Sequence, residues 1–267
     1  MRRFSKVITI TSSKGGVGKT IFLLNLAGIL SKLDKKVLIV DCDFLGGAIS
    51  VNLNLSYKKD IFNISDDMFG NTYESYKEYL TPYQPNIDII ASCKDPRNAI
   101  KIDIDNVLNF INEAKVDYDI VLIDTSHGLN INNIKILDKT DMILYMMTND
   151  IMDIKNTRNY LEIVENVKKD KVRVILNNSR DVNLNYFSSY DIKRGINRNI
   201  DYTIDKSFYI KNITSFLLDG EIFTLNKGLT FRERKDLLKL NKLADDLLKE
   251  ENYGRKVIDW RISNKWW

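Results

Sequence analysis

Ser12-Ser13-Lys14-Gly15-Gly16-Val17-Gly18-Lys19-Thr20 lies between an apolar run, Val7-Ile8-Thr9-Ile10, and a helical pattern that runs from Phe22-Leu23-Leu24 to Leu30. Strand, glycine-rich turn and helix N-terminus in that order form a phosphate cradle. The glycines let successive backbone N–H groups turn toward one anion, and the helix dipole adds to the attraction. Lys19 has the reach to touch outer phosphates, and the Thr20 hydroxyl can ligate Mg²⁺. The general phosphate-loop pattern has glycine at its first position, where this chain has Ser13. A deviant form, Lys-Gly-Gly-x-Gly-Lys-Thr, opens with an additional lysine, here Lys14, and fits every residue from 14 to 20.

Outward from the loop, short β-branched runs alternate with helical patterns, which is the signature of βαβ units. Strands are expected over 5–11, 36–41, 87–92, 118–124, 141–147, 172–177 and 199–204. Helices are expected over 19–33, 103–115, 129–138, 152–168, 188–196, 208–218 and 231–250. Val37-Leu38-Ile39-Val40 and Ile120-Val121-Leu122-Ile123 are apolar on both faces, as strands between two helix layers must be. In the last long helix Leu237, Leu240, Ala244 and Leu247 recur at intervals of three and four. The fold class is therefore α/β: a three-layer, doubly wound, mostly parallel sheet flanked by helices. Residues 54–86 are the least regular stretch and read as a helical excursion over the sheet. No second domain is expected; one domain over 1–250 is followed by a tail over 251–267.

Bulk properties narrow the function classes. With 267 residues, 44% of them hydrophobic, the chain can bury a large core. A net charge of +4 permits nucleic acid or anionic membrane as a partner and selects neither. The single histidine, His127, excludes His-based zinc sites and Ser-His triads. Cys42 and Cys93 have no metal-ligand spacing, and Met1-Arg2-Arg3-Phe4 does not open a signal peptide, so a cytoplasmic setting is expected. No apolar run reaches the length of a membrane span.

In an open parallel sheet ligands bind beyond the carboxyl ends of the strands. Two strands end there in carboxylates, one with Asp41-Cys42-Asp43 and one with Asp124-Thr125-Ser126-His127-Gly128. Both ends are expected beside the phosphate loop if these strands flank the first. A carboxylate in that position can hold Mg²⁺ directly or through water, and another can orient an attacking water. The plainer reading of each is a helix cap or a solvated loop carboxylate.

Three segments carry a resemblance to a known family: Lys14 to Thr20, Val37-Leu-Ile-Val-Asp-Cys-Asp43, and Asp119-Ile-Val-Leu-Ile-Asp-Thr125 with Gly128-Leu129. In these, and in order and spacing from about residue 5 to 250, the chain resembles the ParA/MinD family of deviant-Walker ATPases, of the SIMIBI class of P-loop proteins. Ser-Ser-Lys-Gly-Gly and Phe44-Leu-Gly-Gly-Ala-Ile-Ser-Val look closest to the MinD-like and CpaE/TadZ branches. The resemblance implies Mg-ATP on Gly15, Gly16, Val17, Gly18, Lys19 and Thr20, with Lys19 on the phosphates and Thr20 on the metal. It implies that Lys14 reaches the nucleotide of a second subunit, so that ATP joins a face-to-face homodimer. Asp43 would place the hydrolytic water, Asp41 would support the metal shell, Asp124 would hold a metal-bound water, and the Gly128 N–H would sense the γ-phosphate. The strand ending in Asn177-Asn178 looks like the family's adenine-side strand. The chain departs from the pattern at Ile21, where a hydroxyl residue often helps the inner phosphate, and at Ser126-His127, where proline is usual. His127 is read as a solvent-facing loop residue.

All three tryptophans, Trp260, Trp266 and Trp267, lie in the last eight residues, beside Arg255, Arg261 and Lys265. Tryptophan favours the membrane–water interface, and basic residues favour anionic headgroups. Residues 253–267 are thus read as an amphipathic helix for anionic membrane, with packing on the domain or a partner, and then nucleic acid, as the alternatives. MinD-like proteins carry such a helix. The function expected is an ATP-binding, slowly hydrolysing switch that positions a division site, flagellum or pilus machine, together with an activating or cargo protein. The alternative is a ParA-type partition ATPase whose dimer binds DNA through Lys193, Arg194, Arg198, Arg232, Arg234 and Lys235. A nitrogenase-reductase-like protein would need cluster-holding cysteines that Cys42 and Cys93 do not supply.

Overall fold

A computed structural model describes residues 5–168, 171–178, 187–204, 219–226 and 237–249. Eight strands form one sheet: β1 (Lys6–Thr11), β2 (Val37–Cys42), β3 (Thr81–Gln84), β4 (Ile87–Ile90), β5 (Ile120–Thr125), β6 (Met142–Thr148), β7 (Val172–Asn177) and β8 (Tyr202–Ile204). Their spatial order is β3-β4-β2-β5-β1-β6-β7-β8. Every neighbouring pair is parallel except β3 and β4. The connecting helices are α1 (Lys19–Lys32), α2 (Ile49–Asn52), α3 (Ile61–Phe69), α4 (Ile104–Ala114), α5 (Ile131–Lys139), α6 (Ile151–Lys168) and α7 (Ser189–Ile196). A further helix, α8, covers 237–249.

Alternation along the strands assigns the layers. On β5, Ile120 and Leu122 face a core shared with α1, Phe223 and Leu237, Leu240 and Leu247 of α8. Val121 and Ile123 face the opposite side, onto Val107, Phe110 and Ile111 of α4. Further along that side, Ile143, Tyr145 and Met147 of β6 meet α6 and α7. Because both faces are covered, the central strands are buried end to end. Each fully buried leucine or isoleucine, such as Leu24 or Ile39, adds about 1.5–3 kcal/mol to this packing. α1 comes close to the segment before α8: a Cβ on Gly28 would lie 2.2 Å from Thr224 Oγ1, so only glycine fits. Thr224 Oγ1 donates to the Asn25 carbonyl at 2.9 Å, which fixes that approach.

The sheet answers the condition on strand order and corrects one expectation. β5 and β6 flank β1, and β2 lies one strand further out, beside β5. The acidic ends still meet, because Asp41 and Asp124 are register partners. The stretch 54–86 is not purely helical: α3 is followed by the edge strand β3, antiparallel to β4. The expected helix 208–218 and the tail 251–267 lie outside the described residues, and of 231–250 the part described, 237–249, is helical.

Candidate nucleotide and metal site

The loop after β1 has its predicted form. Gly16 and Gly18 take left-handed backbone angles, with φ of 73° and 97°. Gly18 is the N-cap of α1 and has no side chain to cap it, and the first turn of α1 has no acidic residue. Its N–H groups are therefore left for an anion from outside the chain. α3, α4, α5 and α7 are capped instead by Asp60, Asp103, Asn130 and Ser188.

Lys19 is 8% exposed and its Nζ donates to Ser12 Oγ at 3.2 Å. Ser12 Oγ in turn donates to the Lys14 carbonyl at 2.8 Å, closing a ring within the loop. Burial pulls the Lys19 ammonium below its ordinary value, while Asp124, Asp43 and Asp153 pull it up. A desolvated cation on an uncapped helix start suits phosphate.

The neighbouring hydroxyl, Thr20 Oγ1, donates to Asp124 Oδ2 at 2.5 Å. Asp124 is 1% exposed, and its other oxygen, Oδ1, is buried with no hydrogen-bond partner among the described residues. Burial pushes its carboxyl up to about 6, against the Thr20 hydrogen bond and the Lys19 charge. An orphaned carboxylate oxygen beside a threonine hydroxyl is a hard-oxygen donor set, and Mg²⁺ fits it. Asp41 is fully buried, and its oxygens accept from the amides of Asp43 and Ile49, each at 3.2 Å. Burial, and then the charge of Asp124, hold it well above the usual carboxylate range. Its contacts are thus with the turn that carries Asp43. Asp43 itself is half-buried and accepts from the Gly46 amide at 3.2 Å, and its carbonyl accepts from Ser92 Oγ at 2.8 Å.

Gly128 N–H donates to the Ser12 carbonyl at 2.8 Å, so in this structure the loop after β5 is tied to the phosphate loop. Asn133 supports that loop from α5, donating to the carbonyls of Gly128 at 2.7 Å and Ser126 at 3.1 Å. His127 is exposed, as expected, yet its ring lies over Gly15, with Nδ1 3.4 Å from where a Cβ would be. Asn177 is buried and its Nδ2 donates to the Val17 carbonyl at 2.8 Å, beneath the loop. Ile21 packs on the α1 core. Lys14 Nζ pairs with Asp150 Oδ1 at 3.3 Å. Asn133, Ser92 and Asp150 were not singled out from the sequence; the Asn130–Asn133 spacing at the start of α5 was the available signal for the first.

A glycine-rich loop between the central strand of a parallel sheet and an uncapped helix, with a lysine, a threonine and an adjacent strand-end aspartate, has the form of a P-loop. Residues 5–178, more than half of the chain, match the AAA domain family, and the chain belongs to it. Within it the chain is similar to the ParA/MinD-like P-loop proteins. An uncharacterised ATP-binding protein of Methanocaldococcus jannaschii is 29% identical over 173 residues, 64% of this chain and 64% of that protein. The septum site-determining protein MinD of Helicobacter pylori is 28% identical over 159 residues, 60% of this chain and 59% of that one. The matches thus span a little under two thirds of these relatives. Among solved structures, a ParA family ATPase from Chlorobium tepidum superposes with a TM-score of 0.74 at 21% identity, covering 90% of this chain and 98% of that one. MinD of Pyrococcus horikoshii complexed with Mg-ADP gives 0.73 at 21% identity, covering 91% and 96%. These two share the fold.

Proposed function

We propose that this protein binds Mg-ATP at the loop 14–20, hydrolyses it slowly, and uses the nucleotide to switch between monomer and homodimer. The observation that carries the reading is the uncapped, left-handed start of α1, which sits over desolvated Lys19 and beside the Thr20–Asp124 pair. The amides of 15–20 and Lys19 bind the phosphates, and Ile21 contributes only its backbone. Thr20 and Asp124 hold Mg²⁺, with Asp41 bracing the turn behind them. The metal, when bound, neutralises charge that builds on the phosphates. Asp43, on its turn, orients the attacking water, and the Gly128 amide reports the γ-phosphate once it leaves the Ser12 carbonyl. Lys14 serves a second subunit: its ion pair with Asp150 is 45% and 41% exposed, so it is worth about 0.2–1 kcal/mol and releases readily. A lysine offered to charge growing on a neighbour's phosphoryl group has the role of an arginine finger. Asn177 props the loop from below and lies on the base side.

The cellular role inferred is positioning of an assembly, such as a division site, at the membrane or pole, on the cytoplasmic face. The relatives named for septum site determination support it. The CpaE/TadZ likeness, an activating or cargo partner and the membrane role of 253–267 stand as parts of the same proposal. The partition reading keeps Lys193 and Arg194, which are exposed on α7. It loses Arg198, which is half-buried, donates to the Val172 carbonyl at 2.6 Å and pairs with Glu165 and Asp201. The test is molar mass by light scattering in Mg-ATP and in Mg-ADP, with phosphate release measured alongside. ATP-dependent doubling with slow release is expected. A monomer in both nucleotides removes the switch.

A further inference from the structure

Ser13 departs from the glycine of the general motif, and the structure pairs that departure with a buried carboxylate. Ser13 Oγ donates to Asp153 Oδ1 at 3.2 Å, and Ser13 N donates to the Tyr145 hydroxyl at 3.2 Å. Asp153 is 0% exposed and lies in the first turn of α6. Its other oxygen accepts from Thr148 N at 2.7 Å and Thr148 Oγ1 at 2.8 Å. Tyr145 is equally buried, and its hydroxyl proton goes to Thr157 Oγ1 at 3.1 Å, which leaves a lone pair for the Ser13 amide.

α6 does not need Asp153 as a cap. Asp150 Oδ1 already accepts from the amides of Met152 and Asp153, each at 3.0 Å. A buried carboxylate is costly unless its oxygens are satisfied, and among the described residues its one hydrogen-bond partner distant in sequence is the loop residue Ser13. Glycine at position 13 would leave Asp153 Oδ1 without that donor. We propose that Asp153 is a positioning residue for the phosphate loop. It acts through the Ser13 hydroxyl, with Tyr145 holding the Ser13 amide, so that α6 clamps the leading edge of the loop before any ligand arrives. Burial, which raises the Asp153 carboxyl above its ordinary value, fits a group shielded from solvent behind the loop. Preordering the loop removes part of the entropy a ligand must otherwise supply. Where the consequence is nucleotide affinity, the proposal rests on the nucleotide reading above.

The test uses the full chain as wild type, Ser13→Ala, Asp153→Asn and the double variant. Hydrogen exchange without nucleotide reads the loop directly, and titration with Mg-ADP reads the consequence. Amides of 14–19 are expected to exchange faster in both single variants, and no faster in the double variant, while β5 and α4 keep wild-type protection. Nucleotide affinity should fall by about threefold to tenfold in each, the factor of one hydrogen bond, again without adding in the double. Unchanged loop exchange in Ser13→Ala, or additive losses in the double variant, would overturn the clamp. Should Asp153→Asn fail to fold, Ser13→Ala alone still decides. A wild-type chain that binds no Mg-ADP would remove the nucleotide reading, and the exchange data would still judge the clamp.

Discussion

α1 and α6 begin at the carboxyl ends of adjacent strands, β1 and β6, and they open in opposite ways. α1 starts at Gly18, left-handed and without a side-chain cap. α6 starts with Asp150 accepting two amides, followed by the buried carboxylate of Asp153. Both helices present a positive dipole end to the same edge of the sheet. One leaves its donors for an anion from outside; the other satisfies them from within and shows carboxylates that grip the loop at Ser13 and Lys14. The contrast teaches that a phosphate site is made as much by the cap that is missing as by the lysine that is present.

The largest effect expected from breaking this contrast is at Lys19. Lys19→Ala should lower Mg-ATP affinity by about 10–150-fold, the loss of charge-assisted contacts worth about 1.5–3 kcal/mol, read with a fluorescent nucleotide. Next is Gly18→Ala, which places a Cβ at φ 97° and 2.8 Å from Asn177 Nδ2. It should destabilise the protein by about 1–3 kcal/mol, seen as a lower denaturation midpoint. Removing the other cap, by Asp150→Ala, should cost about 1 kcal/mol and weaken nucleotide binding far less than Lys19→Ala. Equal losses from these two variants would erase the distinction between the two helix starts.

The dependence on pH sharpens the comparison further. The folded Asp124 carboxyl titrates near 6, above its ordinary value of 3.8. Between those two values the native protein holds a proton that the unfolded chain has released. Stability of the unliganded protein therefore falls as pH rises across that window, with a slope of at most about 1.4 kcal/mol per pH unit for this one group. Asp41, also raised, adds in the same direction. Denaturation midpoints from pH 4 to 6.5 should show the slope, and Asp124→Asn should reduce it; a variant with an unchanged slope would place the titration elsewhere.

The loop and the strand-end acids were legible because they are local. Glycines, Lys19 and Thr20 lie within one turn, and apolar runs announce the strands that carry them. Strand order was not, since periodicity does not say which strand neighbours which; the sequence sets β2 beside β1 only as a condition, and β2 lies beside β5. β3 was missed because Thr81-Pro82-Tyr83-Gln84 contains a proline, which belongs in a sheet only at an edge, and β3 is at the edge. Asp150 and Asp153 were not singled out, because acids at or just before a helix start are common. Their partners Lys14 and Ser13 are more than a hundred residues away, and only the fold shows the pairing.

The central claim is that the bare start of α1 is a nucleotide site. Isothermal titration of the wild-type chain and of Lys19→Ala with ATP and with ADP, each with and without Mg²⁺, tests it most directly. The account predicts one nucleotide per chain, tighter with Mg²⁺, and loss of that binding in the variant. No heat of binding from either nucleotide, or the same affinity in Lys19→Ala, would contradict it.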